Sequence, residues 1–268
     1  MTSISPELTI VTVNYNSSDF VATMIRAIVR FTVRPWCMII CDNGSKLSDL
    51  ASLRRTVSFN DNIRLIERRQ TQSGSMGHGE ALNILVKNIS TRYGVILDAD
   101  CVPLMSGWDQ FLLSKINGQT IIAGAPVAKN SPGSSPRSRS FPLIFLCLFD
   151  ASVIENLSID FRPKNIEAGE DTGWELESKC TSAGYLGFGL YGQNTRTYNA
   201  GLFSGNICDE YYCDESCARL ICSHFGRGSD PWAGKYRFLI GGRWLRYKYD
   251  KCKWLFRVND LISRTDIR

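Results

Sequence analysis

Residues 93–104 have the sequence YGVILDADCVPL. An apolar run typical of a buried β-strand ends at Leu97 and is followed by two aspartates, Asp98 and Asp100. Carboxylates beside a buried strand are costly to desolvate unless a positive charge compensates them. If the chain turns after Leu97, both carboxylates can hold one divalent cation, and their hard oxygen atoms favour Mg²⁺ or Mn²⁺. In the alternative interpretation, one aspartate caps the next element and the other is solvated.

The sequence before this motif alternates between strand-like and helix-like segments. The strand-like runs begin at residues 8, 36, 62 and 93. Segments with helical spacing of apolar residues, such as 20–31, lie between them. This alternation predicts a parallel sheet with helices on both faces, and ligands bind such sheets beyond the carboxyl ends of the strands. Polar clusters at 14–16, 42–45 and 98–100 follow three of these runs, so we expect them to meet at one edge.

The pattern after residue 105 is less regular. Apolar runs at 121–128 and 142–149 predict two further buried strands. The segment 129–142 is rich in Pro, Ser, Gly and Arg, a composition that favours a mobile surface loop, and we consider it a candidate lid.

Several motifs carry a close resemblance to the family-2 glycosyltransferases, which are inverting enzymes of the GT-A fold. The motifs are LTIVTVNYNSSDF (8–20), CMIICDNGSKLSD (37–49) and GHGEALNILVKNISTRYGVILDADCVPL (77–104). The resemblance returns at GEDTGWELESKC (169–180) and extends to SHFGRG (223–228). It implies an α/β fold of the GT-A type, with a mixed, mainly parallel sheet flanked by helices. We predict a GT-A domain over 1–233, with a nucleotide-sugar half (1–105) and an acceptor half (106–233), followed by a basic extension (234–268).

The resemblance implies roles for several residues on the donor side. The loop of Val13, Asn14, Tyr15 and Asn16 would border the nucleoside, and Asp42 would accept the imide N–H of a uracil or an equivalent base edge. Asp98 and Asp100 would contact the ribose and the metal-bridged diphosphate, with Asp100 as the principal metal ligand.

The chain has only two histidines, and the resemblance implies a role for each. His224 would complete the metal site with Asp98 and Asp100. His78, in a Gly-rich segment, would approach the nucleotide-sugar; alternatively, it is a polar cap on the following helix.

The acidic segment at 169–180 supplies the remaining site residues. The resemblance implies that Asp171 is the catalytic carboxylate, because inverting transfer needs one general base to take the proton from the attacking hydroxyl. We expect Glu170 to bind acceptor hydroxyls and Trp174 to stack on a sugar face. The alternatives are that Asp171 caps a helix N-terminus and that Trp174 packs in the core.

These motifs predict a metal-dependent inverting glycosyltransferase that uses Mn²⁺ or Mg²⁺ and a nucleotide-diphosphate sugar, with a UDP-linked sugar as the expected donor. The expected acceptor is a hydroxyl on a glycan or a lipid-linked saccharide. Two alternatives remain open: an enzyme that glycosylates modified bases of nucleic acid such as DNA, and a non-catalytic nucleotide- or nucleic-acid-binding protein of the same fold. A Rossmann oxidoreductase is disfavoured because no G-x-G-x-x-G motif follows the first strand.

The segment 234–268 is strongly basic. It contains ten Lys or Arg against three Asp, a net charge of +7, whereas the whole chain carries +5. Cations interleaved with aromatic residues are typical of segments that bind an anionic membrane surface or nucleic acid. We expect its removal to weaken acceptor use more than donor hydrolysis. The alternative is a terminal helix whose aromatic side packs on the core.

Two further expectations concern location and cysteine chemistry. The N-terminal sequence lacks the order of charges and apolar residues found in signal peptides, so we expect a cytoplasmic protein, peripheral on the inner membrane face if the basic segment binds lipid. The ten cysteines are expected to be free thiols. Zinc binding is left open for a cluster whose spacings are wider than those of usual zinc motifs, namely Cys208, Cys213, Cys217 and Cys222.

Overall fold

The computed structural model describes residues 5–129, 140–226, 236 and 242–264. The strands in these ranges are β1 (Leu8–Asn14), β2 (Trp36–Asn43), β3 (Ile63–Arg68), β4 (Tyr93–Leu97), β5 (Cys101–Pro103), β6 (Thr120–Gly124), β7 (Leu146–Asp150), β8 (Leu186–Gly189), β9 (Tyr191–Asn194), β10 (Asp209–Tyr212) and β11 (Leu220–His224). The helices are α1 (Ser18–Phe31), α2 (Leu47–Val57), α3 (Gly74–Val86), α4 (Trp108–Leu113), α5 (Ala151–Asn156), α6 (Glu175–Ser182) and α7 (Arg243–Ser263).

The larger sheet has seven strands in the order β3-β2-β1-β4-β7-β6-β8. Strands β1 to β4 are parallel to one another, whereas β7 runs antiparallel to both of its neighbours, β4 and β6. The predicted mixed, mainly parallel sheet is therefore confirmed. Parallel strands that are covered on both faces read as continuous apolar runs, which explains why β1, β2 and β4 show little polar alternation.

Helices cover both faces of this sheet, and alternate residues of each strand face different layers. In β4, Val95 and Leu97 pack in the cluster that contains α1 and α7, whereas Ile96 packs with Leu82 and Leu85 of α3. The two hydrophobic clusters thus lie on opposite faces, and the sheet between them fixes the strand ends that carry the polar residues.

A smaller sheet has the order β5-β11-β10-β9 and lies beside the carboxyl end of β4. Strand β5 begins directly after Asp100 and pairs antiparallel with β11, so that His224 is opposite Cys101 in the register. This pairing brings the second half of the chain to the end of β4.

Helix α7 packs on the core through one side. Trp254 is fully buried, its ring centroid lies 5.7 Å from those of Phe20 and Phe225, and its indole N–H donates to Ser223 Oγ at 2.9 Å. This side therefore has the packing expected if the basic segment is a terminal helix of the fold. The division at residue 233 stays a prediction, and that residue lies outside the described ranges.

Most of the predicted lid segment 129–142 also lies outside the described residues. Within the described ranges, no helix combines the length and the apolar character that crossing a membrane requires.

Candidate active site

The two aspartates after β4 lie in a tight turn. The N–H of Asp98 donates to the Phe145 carbonyl at 3.0 Å, and the N–H of Cys101 donates to the Asp98 carbonyl at 2.9 Å. The Asp100 carbonyl accepts the N–H of Phe225 at 2.9 Å. The backbone of both halves of the chain therefore fixes this turn, and the Asp100 side chain is buried within it.

Asp98, Asp100 and His224 form one cluster of metal-ligating atoms. One carboxylate oxygen from each aspartate and one imidazole nitrogen lie within 4.8 Å of one another. Nε2 of His224 is 3.4 Å from Oδ1 of Asp100, and its ring stacks on Phe145 with a centroid distance of 4.2 Å and an angle of 14° between the planes. Two hard oxygens and one imidazole nitrogen suit Mn²⁺.

Electrostatics supports a cation at this cluster. Burial raises the pKa of Asp98, and the charges of Asp100 and Asp171 raise it further, while His78 and His224 act in the opposite direction. Burial alone would lower the pKa of His224, but Asp100 and Asp98 hold it above its ordinary value. Burial is the main cause of the Asp98 shift and the neighbouring carboxylates are the cause of the His224 shift, and a cation bound at the cluster would favour the ionised carboxylates and the neutral imidazole. The residues present therefore fit a divalent metal.

The predicted nucleoside side is a hydrogen-bonded unit made from the loops after β1 and β2. Asp42 is buried, and its two oxygens accept the side-chain amide of Asn14 at 2.8 Å and the N–H of Ser45 at 3.1 Å. A carboxylate has about four acceptor positions, so Asp42 can still accept a bond from a base. Tyr15 is 40% exposed beside this unit, and Val13 is half-buried.

Helix α3 approaches the end of β2 closely. The Asn43 side chain donates to the Gly77 carbonyl at 3.2 Å, and a Cβ on Gly77 would lie 2.1 Å from the Gln72 carbonyl oxygen. Only glycine therefore fits at this position. One residue further on, Nε2 of His78 lies 3.6 Å from Oδ1 of Asp98. His78 therefore faces the aspartate turn from the second turn of α3 and does not cap this helix.

Asp171 contacts the first turn of α3, one turn before His78. Its Oδ1 accepts Ser75 Oγ–H at 2.5 Å and the N–H of Thr172 at 2.8 Å, while Thr172 Oγ1 donates to the Ser75 carbonyl at 3.0 Å. The carboxylate is exposed, and it is close enough to Asp98 to raise that residue's pKa. Trp174, and not Asp171, occupies the N-cap position of α6.

The two predicted acceptor residues differ in their surroundings. Oε2 of Glu170 accepts the backbone N–H groups of Lys164 and Asn165 at 2.6 and 2.7 Å, so this carboxylate already stabilises its own loop. Trp174 is half-buried. Their roles in acceptor binding stay predictions.

Two residues of this region were not predicted from the sequence. Phe145 stacks on His224, and Ser75 holds Asp171. Asn14, which belongs to the predicted polar cluster 14–16, joins the two donor-side loops. Phe145 lies in an apolar run and Ser75 in a Gly-rich segment, and neither context indicates the contact.

The cysteine cluster does not form a metal site. Cys208 and Cys222 are buried and Cys213 and Cys217 are half-buried free thiols. Among the residues that the structure describes, three or more metal-ligating groups come together only at Asp98, Asp100 and His224.

Comparison with solved structures finds this fold in a known mannosyltransferase. The mannosyltransferase PcManGT from Pyrobaculum calidifontis, solved in complex with GDP-Man and Mn²⁺, matches with a TM-score of 0.54 and 16% identity over 70% of this chain. The match spans 56% of that enzyme, little more than half its length. S. aureus TarS matches with a TM-score of 0.49 and 11% identity, over 65% of this chain and 33% of its own. At these identities the mannosyltransferase match supports the fold alone.

Sequence comparison supplies the family. No curated protein sequence matches the chain. The model of the family described as glycosyl transferase family 2 matches residues 9–169, which is more than half of the chain and includes β1 to β4, the aspartate turn and α3. The protein therefore belongs to glycosyl transferase family 2.

Proposed function

We propose that this protein transfers a sugar from a nucleotide-diphosphate sugar, with UDP as the expected nucleotide, to an acceptor hydroxyl, with inversion and with the help of a divalent metal. The observation that carries the proposal is the convergence of Asp98, Asp100 and His224 in one cluster. Asp171 is near enough to this cluster for its charge to raise the pKa of Asp98. A binding protein has no need of an exposed carboxylate beside a metal site, whereas an inverting transferase needs one.

The donor would lie along the carboxyl edge of the sheet. Tyr15 offers an exposed ring for the base, and Asp42 retains acceptor capacity for an N–H of its edge. His78 lies 3.6 Å from Asp98 of the metal cluster, beside which the ribose and diphosphate of a bound nucleotide would lie.

Asp98, Asp100 and His224 would hold the metal, with Mn²⁺ or Mg²⁺ as the expected ion. When bound, the ion would neutralise negative charge on the departing diphosphate, so the leaving group needs no proton. The stacked ring of Phe145 keeps the His224 imidazole in the orientation that directs Nε2 to the cluster.

Asp171 would act as the general base. Its carboxylate removes the proton of the acceptor hydroxyl while the oxygen attacks the anomeric carbon from the face opposite the nucleotide. Ser75 and the Thr172 N–H both donate to Oδ1, which orients this exposed carboxylate. The proposed acceptor is a glycan or lipid-linked saccharide, which supplies hydroxyls of this type.

Thermal unfolding with nucleotides tests the donor part of the proposal. Wild type, Asp100→Asn and the control Asp61→Asn, an exposed aspartate before β3, would be heated with UDP, GDP, CDP, TDP or NAD, each with and without Mn²⁺. A ligand at about 100 times its dissociation constant adds about 2.7 kcal/mol of stability. We expect UDP to raise the midpoint of wild type and of Asp61→Asn only with Mn²⁺, and not that of Asp100→Asn. Stabilisation by NAD, or by no nucleotide, would contradict the proposal.

A further inference from the structure

Helix α7 has an exposed face with large apolar side chains. Trp244 is 46% exposed, Leu245 67%, Tyr249 58% and Phe256 76%. Lys248 and Cys252 are exposed between them at helical spacing. We call these six residues the α7 outer face. With a rise of about 1.5 Å per residue, the apolar side chains extend over about 18 Å.

The opposite side of α7 fixes this orientation. Tyr247, Trp254, Val258 and Leu261 are buried against the core, and the Trp254 indole is hydrogen-bonded to Ser223. Rotating the helix to bury the outer face would expose these side chains. The outer face is therefore held outward by the fold, and its apolar side chains remain in water unless something covers them.

The charge on α7 is positive and its acidic residues are paired. The helix contains six Lys or Arg against two Asp. Asp250 is fully buried next to Arg246, and Asp260 is paired with Arg264. On the outer face, the Lys248 ammonium lies 3.6 Å from the centroid of the Trp244 ring. The exposed charge among the apolar side chains of the outer face is therefore positive.

The start of α7 is directed to the active-site edge. Lys251 pairs with Asp19 at 2.7 Å and Asn259 accepts Arg26 at 2.7 Å, so α7 runs beside α1 in the same direction. Since α1 begins at the carboxyl edge of the sheet, the residues before Lys251 extend past that edge. In agreement, the Tyr247 ring contacts that of Phe225, the residue after His224.

We propose that the α7 outer face binds the surface of an anionic lipid bilayer. Trp244 and Tyr249 suit the headgroup region, Leu245 and Phe256 can enter the acyl boundary, and Lys248 can contact acidic headgroups. A single convex helix face forms no groove for a peptide, and its apolar side chains outnumber its exposed cations, unlike a phosphate-binding surface of a nucleic-acid-binding protein. The bilayer would then lie beside the active-site edge.

Vesicle co-sedimentation of the full-length protein tests this inference. The vesicles are phosphatidylcholine alone or with about 30% phosphatidylglycerol. We expect wild type to sediment with the anionic vesicles and not with the neutral ones. Phe256→Ser should weaken the partition about tenfold. The matched control is Phe59→Ser, which removes a ring that is 81% exposed in the loop before β3, at the other edge of the sheet, and should leave the partition unchanged.

A charge variant keeps the test valid if Phe256→Ser folds poorly. Lys248→Glu should weaken binding to anionic vesicles, whereas Lys87→Glu, an exposed lysine at the end of α3 on the opposite face of the sheet, should not. Lipid binding needs no sugar donor, so its outcome is separate from that of the nucleotide experiment. The inference is overturned if wild type binds neither vesicle, if Phe59→Ser and Phe256→Ser behave alike, or if Phe256→Ser instead abolishes a dimer in sedimentation velocity or binding to duplex DNA.

Discussion

Asp171 differs from the other carboxylates of the site in its surroundings. Asp100 is buried beside His224, whereas Asp171 is exposed and its Oδ1 accepts bonds from Ser75 and the Thr172 N–H. An oriented carboxylate on an exposed surface is suited to proton abstraction from an acceptor.

The first prediction concerns this base. Asp171→Asn keeps an oxygen for Ser75 and Thr172 but removes the basic group, so we expect transfer to fall by at least about 100-fold, with donor binding retained. Turnover of a nucleotide-sugar and the thermal shift with nucleotide and Mn²⁺ measure the two effects. Glu167→Gln, an exposed carboxylate in the same loop, is the matched control. Loss of donor binding in Asp171→Asn would assign this residue to the donor site instead.

A second prediction concerns acid stability. Asp160 accepts bonds from Arg162 and Asn83, and the Arg162 guanidinium holds the pKa of this carboxyl well below its usual range. Because the pKa of Asp160 is lower in the folded than in the unfolded protein, ionised Asp160 stabilises the fold. This contribution to the free energy of unfolding is complete above the unfolded pKa of about 3.9 and is lost as the pH falls through the folded pKa.

We therefore expect Asp160→Asn to lower the free energy of unfolding by about 1 to 2 kcal/mol at neutral pH and by less at about pH 3. Urea unfolding at both values measures this, with Asp61→Asn as an exposed control. An equal cost at both pH values would mean that the loss comes from packing and not from the charge.

The sequence predicts some site residues better than others. Asp98 and Asp100 follow a recognisable strand, so their place at the sheet edge could be predicted from the local pattern. The assignment of His224 depended on the family resemblance, because no local pattern relates β11 to β4. Phe145 and Ser75 act through contacts with distant residues, and side-chain packing between elements is not encoded in spacing along one segment.

At the scale of elements, the alternation of apolar periods predicts β1 to β4 and the helices between them. It does not predict that β7 lies antiparallel between β4 and β6. Strand order depends on contacts between segments that are distant in sequence, and local apolar spacing does not report those contacts. The pairing of β5 with β11 was not predicted for the same reason.

Helix α7 gives a prediction at this scale. Trp254 fills space between α1 and the β11 end, so Trp254→Ala should cost about 3 to 5 kcal/mol of unfolding free energy. Trp244→Ala, on the outer face of the same helix, should cost less than about 1 kcal/mol. Denaturant unfolding compares the two. A cost for Trp254→Ala as small as that for Trp244→Ala would mean that the buried side of α7 packs weakly on the core.

At the scale of the whole molecule, α7 bears on the expected effect of truncation. The basic segment was expected to affect acceptor use more than donor hydrolysis. Because α7 buries Trp254 and Val258 in the core shared with α1 and β4, we now expect a chain that ends at residue 233 to lose cooperative unfolding and both activities. Circular dichroism on heating and donor hydrolysis measure this. Hydrolysis that survives truncation would favour a separate extension.

The antiparallel pairing of β5 and β11 also determines which parts of the chain a bound metal would link. It places Asp100 beside His224, although a loop of almost half the protein separates them in sequence. A metal that joined both side chains would close that loop and act as a reversible cross-link, and covalent closure of a loop of about 100 residues removes about 4 to 5 kcal/mol of unfolded-state entropy. Chelation would then release the tie between the two halves of the chain, so metal supply would control how long the folded protein persists as well as its chemistry.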